Sequence, residues 1–153
     1  MNSIEALLAR DGRLVYKTRG MSMEPMLRQD RDLVIIEVPA SRLKKYDVAL
    51  YKRGPQFVLH RVIDVREGYY LIRGDNTYAL ERVPDAAVIG ILTGFKRKGR
   101  DWSVNDPAYR RYVRFWCGVY PLRAALERLN RLARAVARRL GLKKWLRPGK
   151  KEA

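Results

Sequence analysis

The chain has 153 residues, of which 47% are hydrophobic and 10% aromatic, the content of one packed domain and not of a disordered chain. Its 33 Lys and Arg against 16 Asp and Glu give a net charge of +17, and the imbalance is local: residues 107–153 hold 14 bases and two acids, leaving a net +5 for residues 1–106. A lone cysteine (Cys117) excludes an intrachain disulfide framework and suggests a reducing compartment, and one Cys with one His makes a poor zinc ligand set, so metal chemistry is not expected.

In chain order, residues 4–9 suit one or two helical turns. Residues 32–38 form an apolar, β-branched run ended by Pro39, and 47–52 form another, closed by Gly54 and Pro55. Residues 57–65 follow, then a Glu67-Gly68 turn, then 69–73, and finally 87–95. Short runs separated by turn residues predict a compact, mostly β domain over residues 1–106. At Asn105-Asp106-Pro107 the pattern changes, with a capping residue followed by proline as a helix opens. Residues 109–119 read as helical, and Pro121 opens a longer helix to Leu140, with Gly141 suited to its stop. Leu122, Leu126, Leu129, Leu132, Val136 and Leu140 fall on one face of it, and Arg123, Arg131, Arg134 and Arg138 fall elsewhere. Residues 107–153 are thus a basic amphipathic tail. No apolar run is long enough for a signal peptide or a spanning helix.

Three segments carry reactive groups. Gly20-Met21-Ser22-Met23-Glu24-Pro25-Met26 sets a serine between a glycine that permits a sharp approach and a proline that stiffens the following turn. A serine hydroxyl becomes nucleophilic when a base takes its proton, and backbone N–H groups at Met21 and Ser22 could hold the resulting oxyanion. The segment equally suits Ser22 as the cap of a short helix over 23–29. His60, the one histidine, lies in an apolar strand, where it is either a structural residue or a general base titrating near neutrality. Gly74-Asp75-Asn76 is ordinarily a turn. A carboxylate there, or at Glu81 six residues beyond Asp75, could orient His60 as the third member of a triad does.

Together these pieces resemble a known family. Ser22-Met23-Glu24-Pro25-Met26-Leu27, Lys45-Tyr46-Asp47-Val48-Ala49-Leu50-Tyr51, His60-Arg61-Val62-Ile63, Gly74-Asp75-Asn76 and Val88-Ile89-Gly90 occur in the order seen in type I signal peptidases, over about residues 17–94. In that superfamily the bacterial housekeeping enzymes and the LexA-like self-cleaving proteins use a lysine base. The endoplasmic-reticulum, archaeal and spore-former enzymes place a histidine in the segment written here as His60-Arg61-Val62. The resemblance implies a twisted, barrel-like β core and a serine endopeptidase without metal or cofactor. It implies Ser22 as nucleophile, His60 as base and an extended peptide substrate along a sheet edge, with small side chains near the cut. Asp75 is the favoured third member and Glu81 the alternative. The sequence departs from the family at Met21, where a small residue is usual, at Arg31-Asp32 in place of Gly-Asp, and in lacking the membrane anchor.

The expectation is a peptidase acting on a precursor or leader peptide in the cytoplasm, docked through residues 107–153 on the anionic inner face of the membrane. Two other classes fit parts of the sequence: a catalytically silent peptide-binding protein, and a nucleic-acid-binding protein with a LexA-like core. The first conflicts with retention of both Ser22 and His60. The second is disfavoured because only 21 residues precede Ser22 and because LexA-like proteins use lysine.

Overall fold

The computed structural model describes residues 4–141, so Trp145 and the end of the basic tail lie outside the described residues. The protein is mainly β. In chain order the elements are α1 (Ile4–Asp11), β1 (Arg13–Lys17), β2 (Leu33–Glu37), β3 (Val48–Arg53), β4 (Gln56–Arg66), β5 (Tyr69–Arg73) and β6 (Glu81–Pro84). A short 3-10 turn (Asp85–Ala87), β7 (Val88–Arg97), β8 (Arg100–Ser103), α2 (Pro107–Gly118) and α3 (Tyr120–Arg139) complete it. All eight strands join one antiparallel, half-barrel sheet in the order β1-β2-β7-β3-β4-β5-β6, with β8 pairing the end of β7.

The β-branched runs became β2, β3, β4, β5 and β7, and the two C-terminal helices formed as expected. Three strands had no such run to announce them. β1 and β8 are short and bear charges at exposed positions, and β6 is a four-residue strand ending in Pro84, tolerable because only one of its edges is paired. β7 turns into β8 through Lys98-Gly99, both at positive φ (51° and 77°), the two-residue turn that matches strand twist. Residues 23–29 form turns and no helix. Pro25 offers no N–H to a helical ladder, and the buried Asp32 carboxylate takes the Arg28 N–H at 2.8 Å.

Strand alternation sorts side chains onto two faces. Ala49, Tyr51, Val62, Tyr70, Ile72 and Val83 share one face, where they pack with Leu43 as a buried cluster. Val48 and Arg61 point to the other. α1 closes a further part of the core by laying Leu8 against β7 at Gly90, where the absence of a side chain permits the approach. The described residues divide into two compact units between Phe115 and Trp116, inside α2; the sequence pattern had suggested Asp106/Pro107. Among the described residues no helix is long and apolar enough to cross a membrane.

A methyl group at Gly90 would meet Ile36 Cγ2 at 2.4 Å and Leu8 Cδ2 at 3.1 Å. Ile36 is β-branched and fully buried, so it has little room to yield. Gly90→Ala is expected to destabilise the domain by roughly 1–3 kcal/mol in urea unfolding. An unchanged midpoint would show that α1 and β2 shift freely.

Candidate active site

The serine is presented by a tied-down turn. Gly20 takes a positive φ of 82°, and its N–H donates to Gln29 Oε1 at 2.8 Å. Past Ser22, the Glu24 N–H donates to Met21 O and the Leu27 N–H to Met23 O. The segment after β5 grips the same turn: the Asn76 N–H donates to Ser22 O at 2.8 Å and Asn76 Nδ2 to Met21 O at 3.2 Å. In a trans peptide the C=O and the next N–H point in opposite directions. With Met21 O turned onto Glu24 and Asn76, the Ser22 N–H is therefore directed away from them. Met21 itself is 65% exposed, at the rim of the serine.

His60 lies on β4 beside the serine turn, and its side chain is 6% exposed. Its Nδ1 is 3.4 Å from Glu81 Oε1 and 3.3 Å from the Tyr51 hydroxyl oxygen. The Tyr51 hydroxyl donates to Glu81 Oε2 at 2.9 Å, and Arg53 Nη1 donates to Oε1 at 3.1 Å. Since the tyrosine proton is committed to the carboxylate, Nδ1 is the ring nitrogen left to carry hydrogen, and Nε2 keeps its lone pair. Burial lowers the imidazole from its ordinary value near 6.5; the nearby Glu81 charge opposes this without overcoming it. Burial also pushes the Tyr51 hydroxyl up, so it remains a donor.

The lone pair and the serine meet at Gly74. A Cβ built on Gly74 would lie 3.1 Å from His60 Nε2, 3.1 Å from Ser22 Cβ and 2.6 Å from the Ser22 carbonyl oxygen. There is no room for a side chain at Gly74, so the imidazole and the serine both pack against its bare backbone carbon. Register explains the convergence. Arg61 pairs with Arg73, so His60, inside β4, lies across from Gly74, the residue just past the end of β5. Glu81 pairs with Ile72, two residues before Gly74, which puts it on the face that His60 occupies.

Asp75 belongs to a different arrangement. Arg61 Nε and Nη2 donate to its two oxygens at 2.7 and 2.8 Å, and the Tyr112 hydroxyl donates to Oδ2 at 3.1 Å. Arg61 also reaches Tyr46 O, the Tyr109 hydroxyl and Met26 Sδ. The pair is buried, with side chains 1% and 2% exposed. Of the two carboxylates considered from the sequence, Glu81 stands at Nδ1, while Asp75 braces the loop that carries Gly74. The sequence motifs contain Tyr51 and Arg61 without assigning them a role, and Tyr112 lies outside the motifs. An arginine inside Val58-Leu59-His60-Arg61-Val62-Ile63 was the available sign, because a charge buried in a strand needs a partner.

A cavity of about 420 Å³ has none of Ser22, His60 and Glu81 in its lining; it is bordered by Lys44, Asn105, Arg110 and by Tyr46 and Tyr109, two of the partners of Arg61. Among the described residues no three His, Cys, Asp or Glu side chains are arranged to hold a metal ion. No family model matches the chain, and no curated protein matches it either.

Because His60 is the one imidazole, proton NMR reads it directly. Its pKa is expected below 6.5; Glu81→Gln, which removes a charge favouring the protonated ring, should lower it further. Arg53→Gln removes a cation that disfavours protonation and should raise it, less so in high salt because Arg53 is half exposed. A wild-type value at or above 6.5 would show that burial does not dominate. Arg61→Met leaves the buried Asp75 charge without its guanidinium and should cost about 3–5 kcal/mol in urea unfolding, with Arg61→Met/Asp75→Leu recovering part of it.

Proposed function

We propose that the protein is a serine endopeptidase of the signal peptidase type, in the Ser-His branch, cutting an extended precursor or leader peptide. The observation that carries this reading is the convergence of His60 Nε2 and Ser22 on the bare backbone of Gly74, with Glu81 and Tyr51 at the other ring nitrogen. A helix cap needs no imidazole, and a structural histidine needs no serine held opposite its free lone pair. Ser22 begins no helix here.

In the proposed reaction Ser22 Oγ attacks the scissile carbonyl carbon while Nε2 takes the hydroxyl proton. The imidazolium that forms is stabilised through Nδ1–H by Glu81, whose own direction is fixed by Tyr51 and Arg53. The carbonyl oxygen becomes an oxyanion, for which the Ser22 N–H is the candidate donor. Nε2 then returns the proton to the departing amine, leaving an acyl-serine. Water, deprotonated by the same nitrogen, attacks the ester and releases the second fragment. β1 is a sheet edge that ends five residues before Ser22, and its unpaired edge groups could bind a peptide as an added strand. Small side chains near the cut are expected from the family resemblance, and Met21 would narrow that part of the site further.

Ser22→Ala and His60→Ala should each lower cleavage of a leader peptide about a thousandfold or more, and the double variant should be little worse than either single one. Activity should rise with pH through an apparent pKa below 6.5, since the neutral ring is the base. Gly74→Ala should lose cleavage and also lower stability, because its Cβ would meet the Ser22 carbonyl oxygen at 2.6 Å as well as crowding base and nucleophile. Glu81→Gln should reduce turnover at full stability, whereas Asp75→Asn should act chiefly by lowering stability. Undiminished cleavage by Ser22→Ala would refute the mechanism. A wild-type chain that binds extended peptides and never cuts them would leave the silent binder.

A further inference from the structure

We propose that α3 docks the protein on an anionic lipid surface, lying in the plane of the interface. The inference stands on the second unit alone and does not depend on the peptidase reading. α3 is a 20-residue helix, about 30 Å long at 1.5 Å per residue. Leu122, Leu126, Leu129, Leu132, Val136 and Leu140, at its end, are each more than half exposed, from 52% to 68%. At 100° per residue these six side chains fall within an arc of about 120°. Arg128 and Arg139 border that arc on one side and Arg123 on the other, while Arg131, Arg134 and Arg138 lie opposite it. The helix has six arginines and one acid, Glu127, which already faces Arg131 at 3.8 Å.

Charge decides among the occupants of this face. A second copy packed on the leucine stripe would bring the bordering arginines of both helices together, with one glutamate apiece to answer them. Duplex nucleic acid would satisfy the arginines and leave six large apolar side chains in water. An anionic bilayer surface takes both: the leucines enter the acyl boundary and the arginines stay among phosphates. The 3.7 Å approach of the Arg123 guanidinium to the Trp116 ring adds an amphipathic aromatic near the start of the helix, suited to headgroup level. The sequence beyond the described residues contributes Lys143, Lys144, Arg147, Lys150 and Lys151 to the same charge. Six arginines on the helix rule out spanning and favour lying flat.

The test is flotation of the full chain with vesicles of phosphatidylcholine alone and of phosphatidylcholine mixed equally with phosphatidylglycerol. The chain is expected to float with the mixed vesicles, to remain behind with phosphatidylcholine alone, and to release as salt rises. Leu126→Gln/Leu129→Gln keeps the charge and places good helix formers at exposed positions, so the helix persists; partitioning should fall by about tenfold or more. Arg128→Gln and Arg139→Gln should each weaken it by roughly fivefold in low salt. Failure to float with the mixed vesicles at low salt overturns the proposal. So does flotation indifferent to the leucine substitutions, which would mean a purely electrostatic contact. A dimer in sedimentation that these substitutions dissolve, or DNA binding in place of vesicle binding, would assign the face to another occupant and equally overturn it.

Discussion

Arg61 and Asp75 face each other inside the sheet in a two-pronged ion pair, and the geometry of the candidate site follows from where that pair holds the chain. The planar guanidinium and the carboxylate fix distance and orientation together, which a single point contact would not do. Each partner stands one residue from a member of the site: Arg61 follows His60, and Asp75 follows Gly74. Side chains alternate along a strand, so pinning Arg61 and Asp75 on one face sets His60 and Gly74 on the other. Through Met26 the same arginine reaches the segment that presents Ser22, and through Tyr109 and Tyr112 the pair reaches α2. A buried ion pair is poor evidence of net stability, since desolvation offsets much of the attraction. Its contribution here is to geometry.

The two carboxylates near the site are distinguished by their surroundings. Asp75 is enclosed and committed to a guanidinium and a phenol. Glu81 is 26% exposed in its side chain and shares its charge between Arg53, Tyr51 and the imidazole edge. Arg53 partly cancels what Glu81 offers to His60, and burial lowers the ring further. The ring is thereby kept neutral at neutral pH, with a carboxylate positioned to help once a proton arrives. In the proposed reaction such a base stands unprotonated at neutral pH and readily gives back the proton it has taken.

Much of this organisation was legible in the residues, and the limits of legibility have physical causes. β2, β3, β4, β5 and β7 are runs rich in apolar, β-branched or aromatic residues between turn formers, and such runs are strands wherever they meet a partner. β1 and β6 owe their pairing to strands across intervening loops, and β8 to the Lys98-Gly99 turn, and all three carry little intrinsic apolar pattern. Ser22 and His60 could be singled out from the order of their motifs. The choice between Asp75 and Glu81 could not be made from spacing, because it depends on which strand edge folds back beside Nδ1. Pairing of Ile72 with Glu81 answers that, and register is a property of the assembled sheet. Periodicity alone was enough for α3, whose apolar and basic faces need no tertiary context to be seen.

The division of the chain inside α2 separates two things that are easily equated, the span of the motifs and the span of the folding unit. A fragment ending at residue 106 would keep Ser22, His60, Glu81 and the whole sheet. It would lack the two phenols, Tyr109 and Tyr112, that reach Arg61 and Asp75 from α2. Water would then enter beside a charge pair that the intact domain keeps dry, and the loop bearing Gly74 would lose part of its brace. Any recombinant fragment meant to keep the candidate site, or natural shortening of the gene, must therefore extend to about Phe115 to preserve the site's shape.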